Sequence, residues 1–168
     1  MADVIENKVA KSGLITLDLE ELMPAWDVVG FDMADVLWQG LALKEKDFRA
    51  FVKDNDWSAY AGKQVYIHNS ADAIIPTWAY MLLGAALEVH ADLIVVGDEP
   101  QLNLALWQRF VDNFDATQYT DQRVILKGCG SIAIPDTVYI QLSQKLVPQV
   151  KTLMFGEPCS TVPVFKKK

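Results

Sequence analysis

From Gly62 onward, short β-branched runs alternate with longer segments whose apolar residues recur at helical spacing. This alternation constrains the fold more than any other feature, because successive βα units build a mainly parallel sheet with helices on both faces. Three units are predicted. In the first, Gln64 to His68 (QVYIH) is a strand that leads through Asn69 to Asp72 into a helix from Thr77 to His90, with Pro76 suited to its first turn. In the second, Asp92 to Gly97 (DLIVVG) is an apolar strand of the kind covered on both faces. Asp98 caps the helix after it, whose buried stripe runs through Leu102, Leu104, Leu106, Trp107, Phe110 and Val111. In the third, Arg123 to Leu126 (RVIL) passes through Lys127-Gly128-Cys129-Gly130 into a helix capped by Asp136, kinked or restarted at Pro148 and closed by Gly156.

Before Gly62, Leu14 to Leu19 and Val28 to Met33 alternate as half-buried strands do, and Phe48, Phe51 and Val52 mark a short helix over Glu45 to Asp54. A chain of 168 residues suits one core, and 51% hydrophobic residues suffice to fill it. The expected architecture is a single α/β domain over residues 1–168, three-layered and Rossmann-like. It comprises an N-terminal edge extension (1–61), a βαβαβα core (62–156) and an extended C-terminal strap (157–168). No internal repeat is read in the chain.

A formal net charge of −7 repels phosphate backbones, so nucleic acid is not an expected partner. The acidity lies in residues 1–61, where twelve Asp and Glu face six Lys and Arg, and it reads as a solvated acidic face. Asp3 and Glu6 stand where a secretory signal needs a basic flank, which makes the cytoplasm the expected location. The apolar stretch from Ile74 to Leu87 is broken by Pro76, Thr77, Tyr80 and Gly84, and it is shorter than the roughly 20 residues of a membrane helix. No membrane span is expected. Both faces of the 77–89 helix are apolar, with Gly84, Ala85 and Ala86 permitting close approach, which suits burial under another layer or a homodimer interface.

In open parallel sheets, ligands bind beyond the carboxyl ends of the strands. That rule selects the loops carrying Ser70 and Asp72, Asp98, and Cys129. Cys129 sits between two glycines that leave its thiol little cover, and Lys127 two residues earlier favours the thiolate wherever the two side chains meet. Cys159 lies in a proline-stiffened segment beside Glu157. Two cysteines fall short of a four-ligand zinc site, so iron or zinc held by Cys129 and Cys159 needs His68, a carboxylate or a second subunit. His68 ends a strand beside the first loop, whereas His90 ends a helix whose dipole a cation complements; each also suits a hydrogen-bonded structural role. Ser70 and Asp72 lack a nucleophile elbow and suit capping, and no phosphate loop, dinucleotide fingerprint, H-E-x-x-H or C-x-x-C is present.

Four segments carry a family resemblance. Glu45 to Arg49 (EKDFR), Ser70 to Leu82 (SADAIIPTWAYML), Lys127 to Cys129 (KGC) and Met154 to Pro163 (MFGEPCSTVP) resemble those of an uncharacterised bacterial family catalogued as domain of unknown function 2480. The resemblance spans nearly the whole chain and transfers no catalytic residue. It implies an association with the SUF iron-sulfur assembly genes, and hence iron-sulfur assembly proteins as partners. Thiolates are the usual ligands of such clusters and the acceptors of transferred sulfur.

Three readings follow. One is an accessory factor in iron-sulfur or sulfur-transfer metabolism, with Cys129 and Cys159 near each other and Asp72, Glu157 or His68 beside them. Another is a non-enzymatic scaffold associating through the 77–89 helix. The third is an enzyme acting on a small ligand held by Ser70, Asp72 and Asp98 at the carboxyl ends of the strands.

Overall fold

The computed structural model describes residues 13–128, 130 and 132–168. In chain order the elements are β1 (Leu14–Asp18), α1 (Leu19–Leu22), β2 (Val28–Asp32), α2 (Glu45–Asp54), β3 (Gln64–His68), α3 (Thr77–Leu87), β4 (Leu93–Val96) and α4 (Glu99–Asn113). They continue with β5 (Arg123–Lys127), α5 (Asp136–Leu146), β6 (Thr152–Glu157) and β7 (Ser160–Lys166). Every strand pairing is parallel except that of β6 with β7, so the fold class is α/β, with open, mainly parallel sheets of Rossmann-like layout.

The chain divides into two compact units. The internal unit, Ala25–Leu106, holds the sheet β2-β3-β4. Its core gathers Phe31, Met33, Phe48, Val52, Trp57, Ile67, Leu83 and Leu87. The terminal unit, Met1–Pro24 with Trp107–Lys168, holds the sheet β1-β5-β6-β7. Its core gathers Leu19, Trp107, Val111, Leu126, Val138, Leu142, Leu146 and Leu153. The two expected N-terminal edge strands, β1 and β2, do lie at sheet edges, each of a different sheet.

The two units are built on one plan, which corrects the expectation of no repeat. A constant offset of 59 residues carries β3 onto β5 (Gln64 onto Arg123), α3 onto α5 (Thr77 onto Asp136) and β4 onto the start of β6 (Leu93 onto Thr152). It also carries the 3₁₀ turn Trp57–Tyr60 onto Ala116–Tyr119, each capped by the aspartate before it. Backbone detail follows: Gly62 N–H donates to His90 O and Asp121 N–H to Gln149 O, both at 2.9 Å. Gly62 and Asp121 both take positive φ. Each sheet adds one strand at the same register, with Asp32 opposite His68 and Asp18 opposite Lys127.

Three local expectations are overturned. Residues 152–156, read as the end of a helix closed by Gly156, belong instead to β6; α5 stops before Pro148, and the ladder to β5 claims a Leu-Met-Phe run whose composition also suits a helix. Gly156 keeps its positive φ (116°) inside that strand, where a Cβ would meet Ser160 O at 2.7 Å. β4 is not covered on both faces: it is the edge strand of its sheet, and Val96 is 54% exposed. α3 buries one stripe, Ala79, Leu83 and Leu87, and leaves Met81 70% exposed.

Candidate functional site

At the carboxyl end of the internal sheet, three sequence-distant groups converge. Asp32 ends β2 and caps the following 3₁₀ turn, its Oδ1 accepting the Ala34 N–H at 2.9 Å. The same oxygen accepts the N–H of Ser70 at 3.0 Å, fixing the loop after β3 against the end of β2. Asn69 shapes that loop from within, donating to Ala73 O at 2.8 Å and accepting from Ala71 N–H at 3.2 Å. His68, directly opposite Asp32 in the ladder, places Nδ1 4.0 Å from Asp32 Oδ2. Its ring leans on Tyr66, with centroids 5.4 Å apart, and Tyr66 in turn occupies the space over Gly30 where a Cβ would lie 2.6 Å from the ring.

The electrostatics favour an ionised aspartate. Burial pushes the Asp32 carboxyl up, but hydrogen bonds from the Ser70 hydroxyl and N–H and from the Ala34 N–H, with the charge of protonated His68, outweigh it and hold the group below its ordinary 3.8. A histidine beside a fixed carboxylate can give or take a proton.

The repeat-related place in the terminal unit is closed. Asp18 ends β1, accepts the Glu20 N–H at 3.1 Å and holds Lys127 Nζ at 2.8 Å. Glu157, the last residue of β6, approaches the same ammonium at 3.6 Å. The hydrogen bond from Lys127 is the largest reason that the Asp18 carboxyl lies below its ordinary value, and Asp18 in turn raises Lys127. Glu20 pins the following loop by accepting the Ile132 N–H at 2.7 Å, and Tyr139 donates to Gly128 O at 3.0 Å.

The other predicted residues fall as follows. Ser70 is exposed beside His68, and Asp72 is exposed later in the same loop. Asp98 spends its carboxylate on α4, accepting the Gln101 N–H at 3.1 Å while Gln101 Oε1 accepts the Asp98 N–H at 2.7 Å. Cys159 is a free, exposed thiol in the turn that joins β6 to β7. Cys129 lies outside the described residues. Of the suggested metal ligands, His68 belongs to the internal unit and Cys159 to the terminal one; among the described residues no group of three His, Cys, Asp or Glu side chains is placed to hold a metal ion. Lys127 is engaged by two carboxylates. Asp18 and Asp32 were not singled out from the sequence. Their signal was an aspartate ending each of two alternating strands, LITLD and VVGFD.

A groove of about 600 Å³ on the terminal unit is lined by Ile140, Val147, Pro148, Met154, Phe155 and Val164 among others. Its lining is mostly apolar and contains no charged side chain. Among the described residues, no helix is long and apolar enough to cross a membrane.

A family model described as "Protein of unknown function (DUF2480)" matches residues 3–167, and the chain belongs to that family. No curated protein and no solved structure matches it.

Proposed function

We propose that this member of the family binds a small polar ligand over the carboxyl ends of β2 and β3, with His68 exchanging a proton, Asp32 orienting it and the Ser70 hydroxyl as a polar contact. One observation carries the reading. Both units place an aspartate opposite a basic residue at the same register, and in the terminal unit a 2.8 Å ion pair occupies that basic group, whereas His68 stands 4.0 Å from its aspartate. The placement obeys the rule for ligands in parallel sheets.

A thermal-shift screen of small metabolites tests the proposal, since a ligand that binds only the folded chain raises its melting temperature. Hits should stabilise the wild type and Lys127→Met alike and lose their effect in His68→Ala. Hits undiminished in His68→Ala would refute the assignment.

A second reading, an accessory role in iron-sulfur or sulfur-transfer chemistry, draws support from one contact. Lys127 and Glu157 lie 3.6 Å apart at the ends of paired strands, and each stands two residues before a cysteine, Cys129 and Cys159. Differential alkylation with and without added iron or zinc tests it. Protection of both thiols by metal is the expected result; equal, slow labelling in every condition counts against the idea.

A further inference from the structure

Between β2 and α2 the chain presents an indole over a small cavity. Trp38 N–H donates to Ala42 O at 2.8 Å and Leu41 N–H to Trp38 O at 3.1 Å, closing a turn at Gln39 and Gly40, which both take positive φ (54° and 68°). Trp38, held by that turn, is 46% exposed. The cavity, of about 290 Å³, is lined by Asp35, Val36, Trp38, Lys44, Asp47 and Phe51 among others. Phe48, 1% exposed and stacked with Phe51 at 6.3 Å between centroids, backs it with a fixed apolar surface.

An ammonium group already stands on that indole. Lys44 Nζ lies 3.9 Å from the centre of the Trp38 ring, where the negative face of the aromatic system attracts a cation. Asp35 and Asp47 line the same space, and among the described residues neither carboxylate has an ion-pair or side-chain hydrogen-bond partner. The nearby Arg49 is engaged elsewhere: its Nε holds Glu45 at 2.9 Å and its guanidinium lies over Trp78. Lys44 is exposed, so its ammonium can leave the ring for water without disturbing the core.

We propose that this cavity binds a small organic ammonium ion, which displaces the Lys44 ammonium from the Trp38 face and takes Asp35 and Asp47 as counter-charge. The lining selects this class. Two carboxylates repel an anion and fall short of the oxygen set that calcium or magnesium requires. Val36, Leu37 and Phe51 favour a cation with an apolar envelope, because they offer nothing to the hydration shell of a bare metal ion. The volume lies at the lower end for ligand pockets and admits an ammonium carrying a few carbon substituents. His68 and Ser70 are not part of the lining, so this site and the acid–base site stand or fall separately.

Titration with choline, followed by calorimetry and by the Trp38 indole N–H resonance, tests the site. Choline should shift that resonance saturably at millimolar concentration, and its uncharged isostere, with carbon in place of nitrogen, should bind about tenfold more weakly. Lys44→Met removes the internal competitor and should tighten choline binding by about threefold or more, a gain that a lysine merely covering a surface indole would not give. Trp38→Leu and Asp47→Asn, both at exposed positions, should weaken it by about threefold to tenfold, with melting temperatures showing that each variant is folded. No saturable shift in either the wild type or Lys44→Met, equal binding of the isostere, or an affinity indifferent to these substitutions would overturn the proposal.

Discussion

Asp32 ties β2 to the loop after β3 and faces His68, so its removal should be felt in stability as well as at the site. Asp32→Ala deletes the cap on the 33–36 turn and the anchor of Ser70, and should lower unfolding stability by about 1–2 kcal/mol in urea titrations. Asp32→Asn keeps an oxygen for both N–H groups and should lose less. Gly30 acts through its neighbour. A Cβ there would stand 2.6 Å from Tyr66 Cζ, so Gly30→Ala must displace the ring on which His68 leans. The expected cost is about 1–3 kcal/mol. A displaced His68 ring resonance would accompany it; an unmoved resonance would show that Tyr66 does not set the imidazole's surroundings.

The elements repeat even where the residues do not. Leu83 in α3 and Leu142 in α5 are equivalent and fully buried, each in its own core. Leu83→Ala and Leu142→Ala should each cost about 2–5 kcal/mol by denaturant unfolding, the usual range for a buried leucine. A negligible loss at either would contradict the equivalence. Strands β1 to β5 and helices α2 to α4 were legible because alternation and helical spacing report which face is buried. The duplication was not, because most matched positions share burial rather than identity, as with Phe48 and Trp107 or Ile67 and Leu126, and the first strand of each sheet falls outside the common offset. β6 was misread because its residues pack equally well on a helix, and only the partner strand decides. The candidate site was half legible: His68 and Ser70 stood out as strand-end chemistry, whereas Asp32 acquires its meaning from a ladder register that sequence spacing does not reveal.

Across the whole molecule, the charges that hold the strand ends together define a stability window in pH. The Asp18 and Asp32 carboxyls lie below their ordinary 3.8, so their contribution is complete above that value and is lost as pH falls through their folded-state values. Lys127 lies above its ordinary 10.5; its contribution is complete below that value and is lost as pH rises through the raised one. Urea midpoints measured against pH should therefore fall at both extremes. In Lys127→Met the Asp18 carboxyl loses its partner and returns upward, which removes the alkaline loss and flattens the acid one. An unchanged profile would remove the ion pair from the account.

We propose an acid–base place in the internal unit, at His68 and Asp32, that its counterpart has closed with the ion pair of Lys127 and Asp18. The chain has two histidines, His68 and His90, so ring-carbon correlation spectra recorded during a ligand screen report on the site with an internal control. A ligand that raises the melting temperature should move the His68 ring signal and leave that of His90 in place. Stabilising ligands that leave His68 unmoved while shifting residues around Lys127 would contradict it.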